Sequence, residues 1–334
     1  MNLLSHSNGL HRIKPRKFSF FEICKRTLIV ILGLLIIGFL TQVISNFMSS
    51  EKIKANLKYV RIEGKKLEYK IRGTGAYTIV FDGSIGTNIY QWDEICKSLE
   101  GNADVKTFVY NRKGYGFSDD GEQRSPSEQA EDLRALLRKA GASEPYIFVG
   151  EEYGSLIATN FEMKYPELVA GMVLINPLSE AEITNKEYSK AIKLKYYKSE
   201  LEFIGSNFYL TTICDKLGII EKNKIFEENI PNGALEEFNV HKNNKSYRKA
   251  VSDEVKNLYK NNSHSQSEGM LKGKPLYIIT NNLEEQLKEL GEESMTTVYE
   301  TAVSDSPYAM IDNESVINAI NNTVKKVKKI EKSS

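Results

Sequence analysis

Two adjacent carboxylates, Glu151 and Glu152, stand between Gly150 and Gly154 at the end of the apolar run Tyr146-Ile147-Phe148-Val149. The residues that follow, Ser155-Leu156-Ile157 with Phe161 and Tyr165, carry apolar side chains at helical spacing until Pro166 stops them. A strand that enters a helix through glycines two residues either side of one tip residue is a nucleophile elbow. The turn is too tight for side chains at the glycines, and it lifts the tip side chain above the sheet. Serine is usual at the tip, where a neighbouring imidazole activates it. Here the tip is Glu152. A carboxylate so placed can attack carbon and form an ester, or it can share one proton with Glu151 as an acid–base pair. It can also be an inert occupant of the turn. Ser155, one residue beyond the elbow, reads as a helix residue rather than a displaced nucleophile.

The elements that must hold this turn alternate along the chain. Lys58–Glu63 and Leu67–Ile71 alternate apolar and polar residues about Gly64-Lys65 and predict a β-hairpin. Tyr77–Phe81, Val105–Tyr110, Gly171–Ile175, Leu276–Thr280 and Thr296–Tyr299 read as further strands, most of them apolar enough for a sheet buried on both faces. Helices fall between them. One runs through Trp92, Ile95, Cys96 and Leu99; another opens at Ser125-Pro126-Ser127-Glu128, an N-cap, a first-position proline and a capping-box acid, and ends near Gly141. A closing helix carries Val316, Ile317, Ile320, Val324 and Val327. This alternation predicts a mostly parallel α/β sheet with the elbow at the carboxyl edge of the strands. Residues 179–272 break the pattern. They are rich in Lys, Asn and Tyr and contain helical runs at Ile192–Tyr197 and Leu201–Leu210, which predicts a helical cap between a first core segment, 58–178, and a second, 273–330.

At the other end, residues 27–48 contain no charge, and Leu28–Leu40 is apolar or glycine throughout. At about 1.5 Å per residue such a run crosses the roughly 30 Å of bilayer hydrocarbon. A cleaved signal peptide is the competing assignment, but the segment ahead of the run is long and no small-residue cleavage site follows it. We therefore expect a single-pass anchor over 27–48. Residues 1–26 hold six basic residues (Arg12, Lys14, Arg16, Lys17, Lys25, Arg26) against Glu22 alone, which predicts a cytoplasmic N-terminal tail and a body outside the cytoplasm. Lys52, Lys54, Lys58 and Arg61 on the far side make that bias modest. The rest of the chain has 39 basic against 43 acidic residues, a balance that argues against nucleic acid as a partner. Three cysteines, Cys24, Cys96 and Cys214, give no disulfide framework. No metal-ligand spacing stands out, and the glycines at 114 and 116 lack the lysine and strand-helix context of a phosphate cradle, so no cofactor is expected.

Three stretches resemble the α/β-hydrolase fold in its capped, proline iminopeptidase and haloperoxidase-like branch. Tyr110-Asn111-Arg112-Lys113-Gly114-Tyr115-Gly116-Phe117-Ser118-Asp119 is similar to the family's Tyr-Asp-Arg-x-Gly-x-Gly-x-Ser-Asp loop. Pro166–Pro177 resembles the stretch after the elbow helix, and Ser304-Asp305-Ser306-Pro307-Tyr308 through Ile320 resembles the segment that holds the catalytic histidine. The resemblance implies a hydrolase, yet each triad position departs from it. The tip is Glu152, the histidine position is Pro307, the acid positions hold Asn281 and Asn282 or Asn176, and the His-Gly pair before the oxyanion loop reads Asp82-Gly83. Relatives with an aspartate at the elbow, such as epoxide hydrolases, also need an activating histidine. This chain has His6, His11, His241 and His264, of which two precede the apolar run and two fall in the expected cap. The expectation is a fold that keeps its pocket and has lost serine hydrolysis, with Glu152 at the tip hydrogen-bonded to the amides of Ser84 and Tyr153. Gly83, Ser84, Glu151, Tyr153 and Pro307 would then line a pocket for a small or lipid-like ligand or a partner. An atypical hydrolase acting on esters, amides or lipid-derived substrates at the membrane is the alternative.

Overall fold

The computed structural model describes residues 19–52, 58–101, 104–282 and 285–333. His6, His11, the four basic residues Arg12, Lys14, Arg16 and Lys17, and Lys54 lie outside the described residues. Helix α1 (Phe20–Lys52) comes first, and its stretch Phe20–Ser45 is long and apolar enough to cross a membrane, with nearly all of its surface exposed.

Strands β1 (Lys58–Ile62) and β2 (Lys65–Gly73) form the expected antiparallel hairpin, with Ile62 opposite Lys65. There follow β3 (Tyr77–Asp82), α2 (Asp93–Leu99), β4 (Val105–Tyr110), α3 (Pro126–Ala140), β5 (Tyr146–Glu151), α4 (Tyr153–Lys164) and β6 (Val169–Ile175). Six helices then intervene: α5 (Glu180–Ile183), α6 (Lys186–Ser206), α7 (Leu210–Lys216), α8 (Lys224–Asn229), α9 (Asn232–His241) and α10 (Lys245–Lys260). The chain returns to the sheet with β7 (Leu276–Thr280), α11 (Glu285–Lys288), β8 (Thr296–Glu300) and α12 (Asn313–Ser333). The strands make one eight-stranded sheet in the order β1-β2-β4-β3-β5-β6-β7-β8, parallel from β4 to β8.

The apolar runs of β3, β5 and β6 are buried on both faces because successive side chains of a strand point to opposite sides, whereas the edge strand β8 leaves Tyr299 exposed. On β5, Phe148 packs with Phe161, Leu133 and Leu137 of α3 and α4, while Val149 packs with Trp92, Val316 and Ile320 of the opposite layer. Helix α3 begins as its cap predicts: Ser125 Oγ accepts from the Glu128 amide, and the Glu128 carboxylate accepts the Ser125 N–H at 2.8 Å. Gly141 ends it at φ 71°.

One local expectation is corrected. The two helical runs at 192–197 and 201–210 are a single helix, α6, and the break falls later, at Asn207–Tyr209, where Tyr209 takes φ 62°. Gly205 does not interrupt the helix; it is buried within it, against the Thr211 hydroxyl. Apolar spacing through Phe203, Ile204 and Phe208 carries the helical pattern past the true end.

Candidate functional site

The sheet's carboxyl edge brings together the ends of β3, β5 and β6. Glu152 sits at the tip between β5 and α4 with φ 47° and ψ −110°. The two glycines have measurable reasons. A Cβ on Gly150 would lie 2.8 Å from the Gly154 carbonyl oxygen, and one on Gly154 would collide with the backbone of Asp82. The half-buried Glu152 carboxylate accepts from Asn176 Nδ2 at 3.4 Å, and its backbone N–H donates to the Ile175 carbonyl at 3.1 Å. Asn176, at one of the two acid positions, is itself held at φ 41°. The expected hydrogen bond from Ser84 to Glu152 is not made. The Ser84 amide donates instead to Gln91 Oε1 at 3.3 Å, because Gln91 from the turn before α2 reaches it first. The ring of Tyr153 is fully buried, and its hydroxyl accepts from Asn257 Nδ2 at 2.8 Å.

Glu151 points the other way from the tip and is fully buried. Its oxygens accept from Gln91 Nε2 at 2.7 Å, from the Ala309 amide at 3.3 Å and from the Tyr308 amide. Burial and the neighbouring Glu152 charge push it up to about 8, against the three donors that favour the carboxylate. The segment at Pro307, where a histidine would stand, is therefore tied to the sheet by backbone amides. The imidazoles among the described residues are elsewhere. His241 packs edge-on against Phe117 at 4.7 Å, and burial lowers its pKa; His264 is exposed. Asn281 and Asn282 are exposed beyond β7.

A second cluster lies beside the loop after β3. Arg112 is buried, and its guanidinium pairs with Asp82 on one side and with Glu254 of α10 on the other, at 2.7 and 3.1 Å. It also donates to the Gly83 and Ser84 carbonyls at 3.0 and 3.1 Å. Tyr110 donates to Asp82, and Tyr115 donates to Glu254 at 2.7 Å. Burial raises both carboxyl groups while Arg112 opposes the shift. Sequence reasoning flagged Asp82 and Arg112 but gave no signal for Glu254 or Gln91. A solvent-open cleft runs along this cluster between α3, the 112–124 loop and α10. Arg112, Lys113, Arg124, Lys249 and Glu254 line it; Glu152, Ser84 and Pro307 do not. Among the described residues, no group of three His, Cys, Asp or Glu side chains is arranged to hold a metal.

The family model of the α/β hydrolase fold matches residues 77–304, which include the elbow, the Arg112 loop and the β6–β7 helices. The chain belongs to this family. Two curated relatives match in part. The uncharacterized protein YqjL of Bacillus subtilis (strain 168) is 30% identical over 107 residues, 32% of this chain and 42% of that protein. The proline iminopeptidase of Saccharolobus solfataricus is 24% identical over 153 residues, 44% of this chain and 48% of that protein. The matched region thus spans less than half the length of either relative. Among solved structures, the Cif epoxide hydrolase of Acinetobacter nosocomialis superposes with a TM-score of 0.65 at 14% identity, covering 84% of this chain and 96% of that one. A mutant of an epoxide hydrolase from Bacillus megaterium, complexed with its product, gives 0.62 at 15% identity, covering 80% and 100%. At these identities the likeness establishes the α/β-hydrolase fold alone.

Proposed function

We propose that the chain is a membrane-anchored α/β-hydrolase-fold protein that does not perform serine hydrolysis and binds a small or lipid-like ligand, or a partner, beneath a helical cap formed by residues 179–272. The observation that carries this reading is how the reactive positions are occupied. Glu152 holds the tip with Asn176 as its side-chain partner, and the segment at Pro307 is bound to Glu151 through backbone amides. Hydrolysis on this fold needs nucleophile, base and oxyanion donors acting as a unit. The Ser84 amide, one candidate donor, is engaged by Gln91. The cleft along Arg112, lined by Arg124 of the core and Lys249 and Glu254 of residues 179–272, supports a retained binding role there. The excess of Lys and Arg before α1 supports a cytoplasmic N-terminus with the body on the other side.

A second reading has one observation in its favour. Glu151, pushed up to about 8 beside Glu152, gives the pair a proton to exchange near neutral pH. The two would then act as acid and base on an ester, amide or lipid-derived substrate at the membrane surface.

The deciding experiment assays full-length protein in phospholipid vesicles against a panel of activated esters and amides, beside Glu152→Ala. The expected result is no turnover in either protein. Turnover that disappears in Glu152→Ala would overturn the non-catalytic reading and make Glu152 a catalytic carboxylate.

A further inference from the structure

Helices α6 and α7 leave an apolar face open. On α6, Leu194, Tyr197, Leu201 and Ile204 recur at helical spacing and are all exposed, Leu194 at 74% and Leu201 at 70%. Leu210 and Ile213 of α7, with Leu217 and Ile219 just after it, extend the patch around the turn, Leu217 at 69%. Isolated exposed leucines need no explanation, but a contiguous face of this extent marks an interaction surface.

Its position against α1 identifies what covers it. Along α1 the less exposed residues other than Gly33, namely Leu35, Gly38, Gln42 and Ser45, form one stripe, with Gln42 buried. Gly38 abuts the backbone carbonyl of Phe208, in the turn between α6 and α7, so closely that no Cβ would fit. The uncharged run of the anchor extends to Met48. Gly38 lies ten residues before that end, about 15 Å along the helix axis. The α6–α7 turn is thus packed against the membrane-spanning part of α1, at the level of the acyl region.

The charges agree with that placement. The acids in the second half of α6 are drawn inward to α10: Glu202 pairs with Arg248 at 2.7 Å, and Glu200 accepts from the Ser252 hydroxyl. The exposed side instead carries Lys190, Lys193 and Lys195, with Lys198 paired to the exposed Glu221 at 2.9 Å; all four are farther from the α6–α7 turn than Leu201 or Ile204. Lysines above an apolar tip meet phosphate headgroups while the leucines enter the acyl region.

We propose that the α6–α7 face is a membrane-docking surface, seated in the headgroup and acyl boundary of the bilayer that α1 crosses. The inference rests on α1 as a membrane anchor.

The test uses the full chain with Cys24→Ser and Cys214→Ser, leaving only buried Cys96, reconstituted in vesicles of phosphatidylcholine and phosphatidylglycerol. An environment-sensitive fluorophore is attached singly through Leu201→Cys, Ile213→Cys, Ile36→Cys within α1, or Arg138→Cys at the exposed end of α3. Lipids carrying a nitroxide, high on the acyl chain in one set and near its end in another, are the quenchers. The expected result is that the Leu201, Ile213 and Ile36 labels lose most of their emission while the Arg138 label keeps its own. Quenching at Ile36 with Leu201 and Ile213 behaving like Arg138 would overturn the docking surface and leave the anchor standing. Absence of quenching at Ile36 would overturn the anchor and the docking surface together. Protection of the Leu201 and Ile213 labels without quenching, accompanied by cross-linked dimers, would assign the face to a second copy and overturn the lipid assignment.

Discussion

The side chain of Gln91 donates to Glu151 at 2.7 Å while its carbonyl accepts the Ser84 amide at 3.3 Å. One glutamine thereby joins the loop after β3 to the carboxylate beneath the elbow, and that carboxylate in turn holds the amides of Tyr308 and Ala309. Three segments that would carry an oxyanion hole, a nucleophile and a base on this fold are fastened to one another through a buried polar network. Such networks are rigid when every member is satisfied. The groups that fasten the site are the groups that occupy it.

Glu151 makes stability depend on pH in a definite direction. Its folded-state value of about 8 lies above its ordinary 4.5, so the native state keeps a proton that the unfolded chain releases earlier. The stabilisation from that proton is complete below pH 4.5 and is lost as pH rises through about 8. Other buried carboxyls raised by desolvation, Glu162 at about 7 among them, act in the same sense. Glu151→Gln removes one titrating group, so its melting temperature should fall less steeply than the parent's between pH 5 and 8. Calorimetry across that range checks it; parallel slopes would mean Glu151 is ionised in the native state throughout.

Arg112 compensates two buried acids at once, Asp82 and Glu254. Replacing it with alanine leaves both without their cation, and breaking a buried pair in this way costs about 3–5 kcal/mol. Arg112→Lys keeps the charge but cannot fork between Glu254 and the Gly83 and Ser84 carbonyls, so an intermediate loss is expected. Denaturant titration of the three proteins in detergent gives the order. Equal stability of Arg112→Ala and the parent would show that the acids are protonated and do not need the arginine.

Legibility in the sequence followed the range of the interactions. The elbow could be read because Gly150, Gly154 and the apolar run before them are adjacent, and α3 because Ser125, Pro126 and Glu128 lie within four residues. The Glu151 clamp could not, since Tyr308 is 157 positions away and bonds through its backbone, which carries no residue code. Glu254 was hidden for a related reason. On an amphipathic helix one glutamate among several polar residues looks solvated, and only packing of α10 against the Arg112 loop makes it a buried partner. The assignment of the Ser84 amide failed similarly, because nothing local marks Gln91 as a competitor for the donor.

The tip itself separates backbone from chemistry. With φ 47° and ψ −110°, Glu152 occupies a region that glycine enters freely and that costs other residues about 1–3 kcal/mol. Glu152→Gly should therefore be more stable than Glu152→Ala by about 1 kcal/mol, with the elbow intact in both because Gly150 and Gly154 build it. Glu152→Ser restores the usual tip residue on that same backbone. It should still give no burst and no steady turnover with activated esters, since the segment that would supply an imidazole presents Pro307 and is bound to Glu151 by amides. A stable Glu152→Ser protein with an acyl-enzyme burst would reveal a base outside the histidine position and bring the chain back among working hydrolases. A stable and silent one would place the loss of hydrolysis in the anchored loop as well as in the tip.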